Sequence, residues 1–360
     1  MSDATLPFPQ SAEWPRLGPR KLAYLLLLAG VALVFLLELM IGAVHIPLGQ
    51  VLTILSGGEA ERITWDRIVL HFRLPRALNA LFSGAAIGAC GLLLQTLFRN
   101  PLADPFVLGV VHGAKFGVAI VVVVAGLAGN AFAQKFGWLG DLSLAAAAAA
   151  GSTLLMLAIL ALSRRVSTVT ILIVGLMLGY LCQGLISVVL HFTDETQARV
   201  FESWNDGSFA GITQTQLRIL IPAVLAGLLL AHALVKPLNA LLLGESYART
   251  LGLPVGRARA VAFAATAILS GTVTAYCGPI AFLGIVVAHL CRGLFQTSDH
   301  RTLMPAVTLM GALLALSADL VTHLPWSKHF LHLNAVNGLI GAPVVLWVLL
   351  RSRNGRALEL

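Results

Sequence analysis

The chain has 360 residues, of which 58% are apolar and 11% charged, and it carries a net charge of +8. A soluble protein of this size needs nearer ~25% charged residues to cover its surface. The composition therefore excludes a soluble enzyme and points to an all-α polytopic membrane protein. The basic excess belongs on loops at one membrane face, and no nucleic-acid partner is implied. Cys90, Cys182, Cys277 and Cys291 lie in or beside apolar runs without a C-x-x-C pair. That spacing argues against disulfides, iron–sulfur clusters and structural zinc.

A helix needs ~20 apolar residues to cross ~30 Å of hydrocarbon. After a polar N-terminal tail (1–22), the pattern predicts ten spans: 23–43, 75–97, 106–127, 142–163, 168–191, 216–236, 258–276, 279–293, 302–320 and 336–351. They form one transmembrane domain over 23–352, followed by a short tail (353–360). The first apolar run is too long for the core of a cleaved signal and reads as a retained span. So little chain lies outside the spans that any ATPase or ligand-capturing lobe is expected on a separate polypeptide.

Small residues at helical spacing predict close helix contacts. Gly84 and Gly88 form one pair, and Gly109, Gly113 and Gly117 extend the pattern. The run Ala145–Ala150 predicts a thin, internal fourth span. Before the second span, Arg73-Leu74-Pro75-Arg76 sets out two guanidiniums as a fork for carboxylates of a partner, or for lipid phosphate. After it, Asn100-Pro101-Leu102-Ala103-Asp104-Pro105 reads as a rigid cytoplasmic turn, with Asp104 capping the third helix and Pro105 in its first turn.

The 192–214 loop is long, mixed in charge and contains Trp204 and Phe209, which suggests a docking or gating surface. The connection from Asn239 to Arg259 is too apolar for a linker. It predicts two short amphipathic helices at about 240–256, with Gly252 as a C-cap and Pro254 opening the second. Such a knob either receives motion from a motor or rests on lipid head groups. Pro279 fits the first turn of the eighth span.

Ionisable residues within the spans are few: Glu38, His112, Lys115, His289 and Asp319. Lys115 is the sharpest oddity, and faces a cavity, pairs with an acid or snorkels. No H-x-x-x-H spacing, nucleotide loop, serine elbow or carboxylate pair occurs, so neither a metal site nor a bound cofactor is expected. Placing the N-terminus inside puts fifteen basic residues on inner loops against seven on outer ones, and an even number of spans brings the C-terminus inside as well.

Four stretches resemble the FecCD/BtuC-type permeases of bacterial ATP-binding-cassette importers. They are Arg73–Gly109, Leu243–Arg257, Cys277–Gly284 with His289, and Gly338–Pro343. The resemblance implies a type II importer permease fold of ten helices, working as a homodimer in the inner membrane with a substrate path on the dimer axis. Two ATPase subunits, holding ATP and Mg, would sit beneath it, and a periplasmic binding protein above. Gly244, Glu245, Ser246, Tyr247, Arg249, Leu251, Gly252 and Pro254 match the elements that enter each ATPase. Arg73 and Arg76 match the arginines that receive acids of the binding protein. The fifth span matches a path-lining helix, making Tyr180 and Gln183, with Lys115, candidate pathway residues. The expected substrate is a ferric siderophore, with haem or cobalamin as alternatives; an ion-driven secondary transporter is the rival class. The sequence departs from the family at Leu333-Asn-Ala-Val-Asn337 and in the aromatic, His-rich stretch Trp326–His332.

Overall fold

The structure is a computed structural model that describes residues 18–106, 108–127, 130–163, 168–323 and 331–353. The described residues form helices and turns, with no strand among them. The helices are α1 (Gly18–Met40), α2 (Leu48–Leu55), α3 (Ile63–Ile68), α4 (Leu74–Phe98), α5 (Val110–Leu127), α6 (Asn130–Ser163), α7 (Thr168–His191) and α8 (Glu195–Asn205). They continue as α9 (Gln214–Ala233), α10 (Val235–Leu242), α11 (Glu245–Thr250), α12 (Val255–Cys277), α13 (Leu283–Phe295), α14 (His300–Thr322) and α15 (Leu333–Arg353). Six described segments are long and apolar enough to cross a bilayer, and four shorter apolar helices accompany them. In hydrocarbon a backbone must satisfy its own polar groups, and a helix does so within one segment.

The axle of the bundle is α4, whose residues from Ala85 to Phe98 are all buried. It packs against α1, α9, α12, α13 and α14. Lipid removes the hydrophobic drive between helices, so they adhere by backbone approach. At Gly84 the approach is extreme, since an added Cβ would lie 2.2 Å from the carbonyl oxygen of Gly311 on α14. Gly88 continues the same seam along Val307. Gly113 and Gly117 meet α6 at Gly151 and Ala147, inside the alanine run. Gly109 leaves that register. It precedes α5, turns the backbone at φ +76° and packs on Gly175 of α7.

The structure redraws four predicted elements. First, the second span does not start at 75. Helix runs from Ile63 through a π turn at Val69–Arg73 into α4. Pro75 offers no N–H and crowds the carbonyl four residues back, and a widened turn there relieves both. Second, α6 begins at Asn130 rather than at 142.

Third, Pro279 is not in a helix. From Gly278 to Phe282 the chain is non-helical, with Gly278 at φ +70° and Phe282 at φ +65°, and α13 starts only at Leu283. The break is buried at Gly278, Pro279 and Ile280, and the amide of Asn334 supplies its missing partners. Asn334 Nδ2 donates to the Pro279 carbonyl at 2.8 Å, and its Oδ1 accepts from Ala281 N–H at 3.1 Å. Trp204 Nε1 and Ser208 N–H donate to the Ala275 and Cys277 carbonyls from the other side. The 192–214 segment is thus partly threaded into the bundle, with Phe209 fully buried.

Fourth, the Asn100–Pro105 turn is tucked inside. Asp104 is 2% exposed and bonds Phe106 N–H at 2.8 Å rather than capping α5, which begins at Val110. Its free Oδ2 lies against Gly284 of α13, and His289 Nε2 meets the Pro101 carbonyl at 3.0 Å. Burial pushes the Asp104 carboxyl up to about 6, with the Phe106 bond opposing the rise.

Candidate functional site

The Asn239–Arg259 connection folds into a bent elbow at one end of the bundle. Of the two short helices predicted there, the first is α11; the second, expected from Pro254, does not form, since Pro254 opens the long α12, and a short helix not predicted, α10, precedes the elbow. Gly244 at φ +113° and Gly252 at φ +79° make the two bends that an L side chain resists. Ala248 is buried and anchors α11, and Leu253 N–H closes the second bend on the Ala248 carbonyl. Glu245 is held by Arg259 of α12 and, at 3.4 Å, by Arg249 one turn on.

Leu243, Tyr247 and Leu251 recur every four residues along the elbow and are 65%, 52% and 60% exposed. Ser246, Arg249, Gly252 and Pro254 are exposed around them. A rigid loop showing an apolar stripe with a polar rim has the anatomy of a contact surface.

At the opposite end of the bundle stand the two predicted docking arginines, and both are engaged within the chain. Arg73 donates to the carbonyls of Leu39 at 2.8 Å and Met40 at 2.9 Å, and to that of Val44, capping the end of α1. Arg76 forks onto Asp319 of α14, with Nε–Oδ2 2.7 Å and Nη2–Oδ1 2.8 Å. Within the chain this fork already holds a carboxylate, that of Asp319, and 21% of the Arg76 side chain is exposed.

His323 Nε2 stands 3.3 Å from Glu38 Oε2, and its Nδ1 donates to the Asp319 carbonyl at 2.7 Å. Glu38, Asp319 and His323 are close enough to share an ion. Their charge is nevertheless already balanced, since Arg76 fills both Asp319 oxygens and Arg73 adds a second cation nearby, so the group reads as an internal ion cluster. Sequence reasoning missed this cluster as a unit; Glu38 and Asp319, the rare acids in apolar runs, were its only signal.

The candidate pathway residues separate. Tyr180 and Gln183 lie on an exposed face of α7, with Ile173, Met177 and Val188 along it. Lys115 is not on that face. It is 7% exposed, with its ammonium 5.6 Å from the centre of the Phe106 ring, a cation–π contact that His112 flanks. Of the departures noted in the sequence, residues 324–330 lie outside the described residues, while Asn334 serves the α12–α13 break.

This bundle, with its axial helix, broken α12–α13 pair and exposed elbow, is the architecture of the membrane-spanning permease of an ATP-binding-cassette importer. A solved metal-chelate type ABC transporter in an inward-facing conformation matches with a TM-score of 0.78 at 25% identity, covering 92% of this chain and 99% of that one. The FecCD transport family matches residues 28–351, and the chain belongs to that family. It is similar to the vitamin B12 import system permease protein BtuC of Klebsiella pneumoniae subsp. pneumoniae, with 36% identity over 91% of this chain and 94% of the relative. The protein of the same name from Salmonella paratyphi A is 37% identical over 80% of this chain and 85% of that one. The protein is a multi-pass inner-membrane permease of this importer family.

Proposed function

We propose that the chain works as a homodimer that carries a bulky metal chelate from a periplasmic binding protein to the cytoplasm by alternating access. Energy comes from two separate ATPase subunits that hold ATP and Mg. The chain itself changes no covalent bond. The elbow faces the cytoplasm with both termini, a placement that the excess of basic residues on those loops supports, and its Leu243–Tyr247–Leu251 stripe seats in the ATPase. That exposed stripe on a doubly anchored loop is the observation that carries the reading. The exposed faces of α7, with Tyr180 and Gln183, and of α15, with Leu339 and Ile340, are the surfaces for the partner protomer and the path.

For the substrate, the vitamin B12 names of the relatives favour a corrinoid over the ferric siderophore expected from sequence. Cysteine cross-linking at 244–254 in intact membranes should capture an ATPase subunit. Uptake by the reconstituted complex should then be competed by cobalamin and not by ferric siderophores. Uptake with no ATPase captured would overturn the mechanism; competition by a siderophore alone would overturn only the substrate.

A further inference from the structure

The turn that ends α4 carries a residue in an unusual place. Arg99 has φ +46° and stands at the left-handed position after the helix, where glycine is the ordinary occupant. Its side chain crosses to α10, and Nη2 donates to the Leu242 carbonyl at 3.0 Å and the Leu241 carbonyl at 3.3 Å. Both carbonyls lie in the last turn of α10, where intrahelical partners run out; that of Leu241 also accepts Gly244 N–H at 3.1 Å. A Cβ on Gly244 would come within 3.2 Å of the same nitrogen, so the bend that starts the elbow is shaped around this guanidinium.

One turn back on α4, Thr96 makes a second link. His300, 1% exposed at the start of α14, stands between α4 and α10. Asn239 Oδ1 accepts from His300 N–H at 2.8 Å and from His300 Nδ1 at 2.7 Å, while Asn239 Nδ2 donates to Asp299 at 2.6 Å. An amide oxygen only accepts, so the ring proton sits on Nδ1. His300 Nε2 is then an acceptor facing the Thr96 hydroxyl at 2.7 Å, whose one proton it shares as a target with the Leu92 carbonyl at 2.9 Å. Thus α10 is bonded to one turn of α4 at two points, directly by Arg99 and through α14 by Thr96.

We infer that Arg99, assisted by Thr96, His300 and Asn239, is the positioning residue that passes movement of the elbow into the buried axle of the bundle. The inference rests on the coupling reading above and names its route. A push on α11 has two ways onward, through Glu245 and Arg259 into α12, and through α10 into α4. The second enters α4 by side-chain bonds to the turn that ends it, and α4 is the helix against which α1, α9, α12, α13 and α14 all pack. It also explains why an arginine occupies a backbone position better suited to glycine.

The test uses the full chain in its complex with ATPase and binding protein, in proteoliposomes, reading solute moved per ATP hydrolysed. Arg99→Gly relaxes the backbone and removes only the link. Its melting temperature should match or exceed that of the unaltered protein, while transport per ATP falls by roughly 2- to 30-fold, the span seen for mutations along coupling routes. Arg99→Lys, which can reach one carbonyl but not fork over two, should recover part of the loss. If Arg99→Gly does not assemble, Thr96→Val, which keeps the shape and removes the hydroxyl, should lower the same ratio. Unaltered transport per ATP in Arg99→Gly, or in Thr96→Val where that variant carries the test, overturns the inference provided Glu245→Ala is impaired. Normal transport by Glu245→Ala as well overturns the elbow reading itself.

Discussion

Arg76 and Asp319 lie 243 positions apart in sequence, yet the guanidinium of one closes on both carboxylate oxygens of the other. Thr322 completes the arrangement, accepting from Arg76 Nη2 at 3.0 Å and donating to the Asp319 carbonyl at 2.6 Å. Asp319 is 1% exposed, so removing Arg76 strands a charge away from water. Breaking such a pair costs about 3 kcal/mol, toward the low end because the arginine side is partly solvated, whereas replacing both members by apolar residues is often neutral. Arg76→Ala and Asp319→Ala should therefore lower the melting temperature of the purified permease, and Arg76→Met with Asp319→Leu should restore most of it. Were Arg76 instead a free docking group, Arg76→Ala would melt normally and weaken only the binding protein's affinity.

Membrane insertion, helix positions and the elbow were readable because they are local: apolar length, turn residues and spacing sit within one segment. Gly84 and Gly88 were readable as contact points for the same reason. Their partners Gly311 and Val307 were not, because spacing says that a face is small and never what it meets. The Arg73–Arg76 motif was legible only in part. Two arginines around a proline at a helix mouth look outward in sequence, and only the fold brings Asp319 and the α1 carbonyls to them. The Asn100–Pro105 segment was legible as a rigid cytoplasmic turn because its residues are turn formers. Nothing local announces that Asp104 will be pressed against Gly284.

The Gly84–Gly311 crossing sets a steric limit on α4 and α14. A methyl at position 84 would sit 2.2 Å from a backbone oxygen that no side-chain rotation can move aside. Gly84→Ala must push the helices apart along their length, and overpacking of this kind costs about 1–3 kcal/mol. The variant should melt earlier, and Gly84→Leu earlier still or not insert at all. Unchanged melting of Gly84→Ala would show that the two helices already stand farther apart.

Within the elbow, Glu245 and Arg249 should behave unequally. Arg249 is 68% exposed in its pairing with Glu245, and exposed pairs of this spacing contribute only ~0.3–0.5 kcal/mol. Arg249→Ala should leave thermal stability nearly unaltered and slow transport modestly. Glu245 also holds Arg259, whose side chain is only 16% exposed, so Glu245→Ala frees α11 from α12 and should slow transport further while the protein still reaches the membrane. Uptake assays beside membrane quantitation decide this; equal uptake by both variants and the unaltered protein would count against the elbow's role.

Asp104 gives a pH dependence of defined sign. Its carboxyl is raised from 3.8 to about 6 by burial. Below about pH 4 it is neutral in the folded and unfolded states alike and contributes no difference. As pH rises through about 6 the folded state must hold a buried carboxylate that the unfolded chain keeps in water, so stability is lost on the alkaline side. A rise of about two pH units corresponds to roughly 3 kcal/mol at neutral pH. Asp104→Asn keeps the acceptor for Phe106 N–H and should melt later than the unaltered protein at pH 7.5, with the gain vanishing near pH 4. A gain that did not change with pH would assign it to packing instead.

Asn334 lies at the start of α15, and the structure gives it work. Its side chain answers one carbonyl and one N–H of a buried, non-helical stretch, a pairing that only an amide in this orientation makes. Leaving a buried backbone group without a partner costs about 1–3 kcal/mol, so Asn334→Ala should lower the melting temperature and speed hydrogen exchange at 278–282. Asn334→Asp keeps the acceptor for Ala281 but turns a second oxygen toward the Pro279 carbonyl, and should be no better. Ser208 N–H holds the Cys277 carbonyl at 2.8 Å from the opposite side. If exchange at 278–282 is unmoved by Asn334→Ala, that contact from the 192–214 segment holds the break, and the amide clamp is secondary.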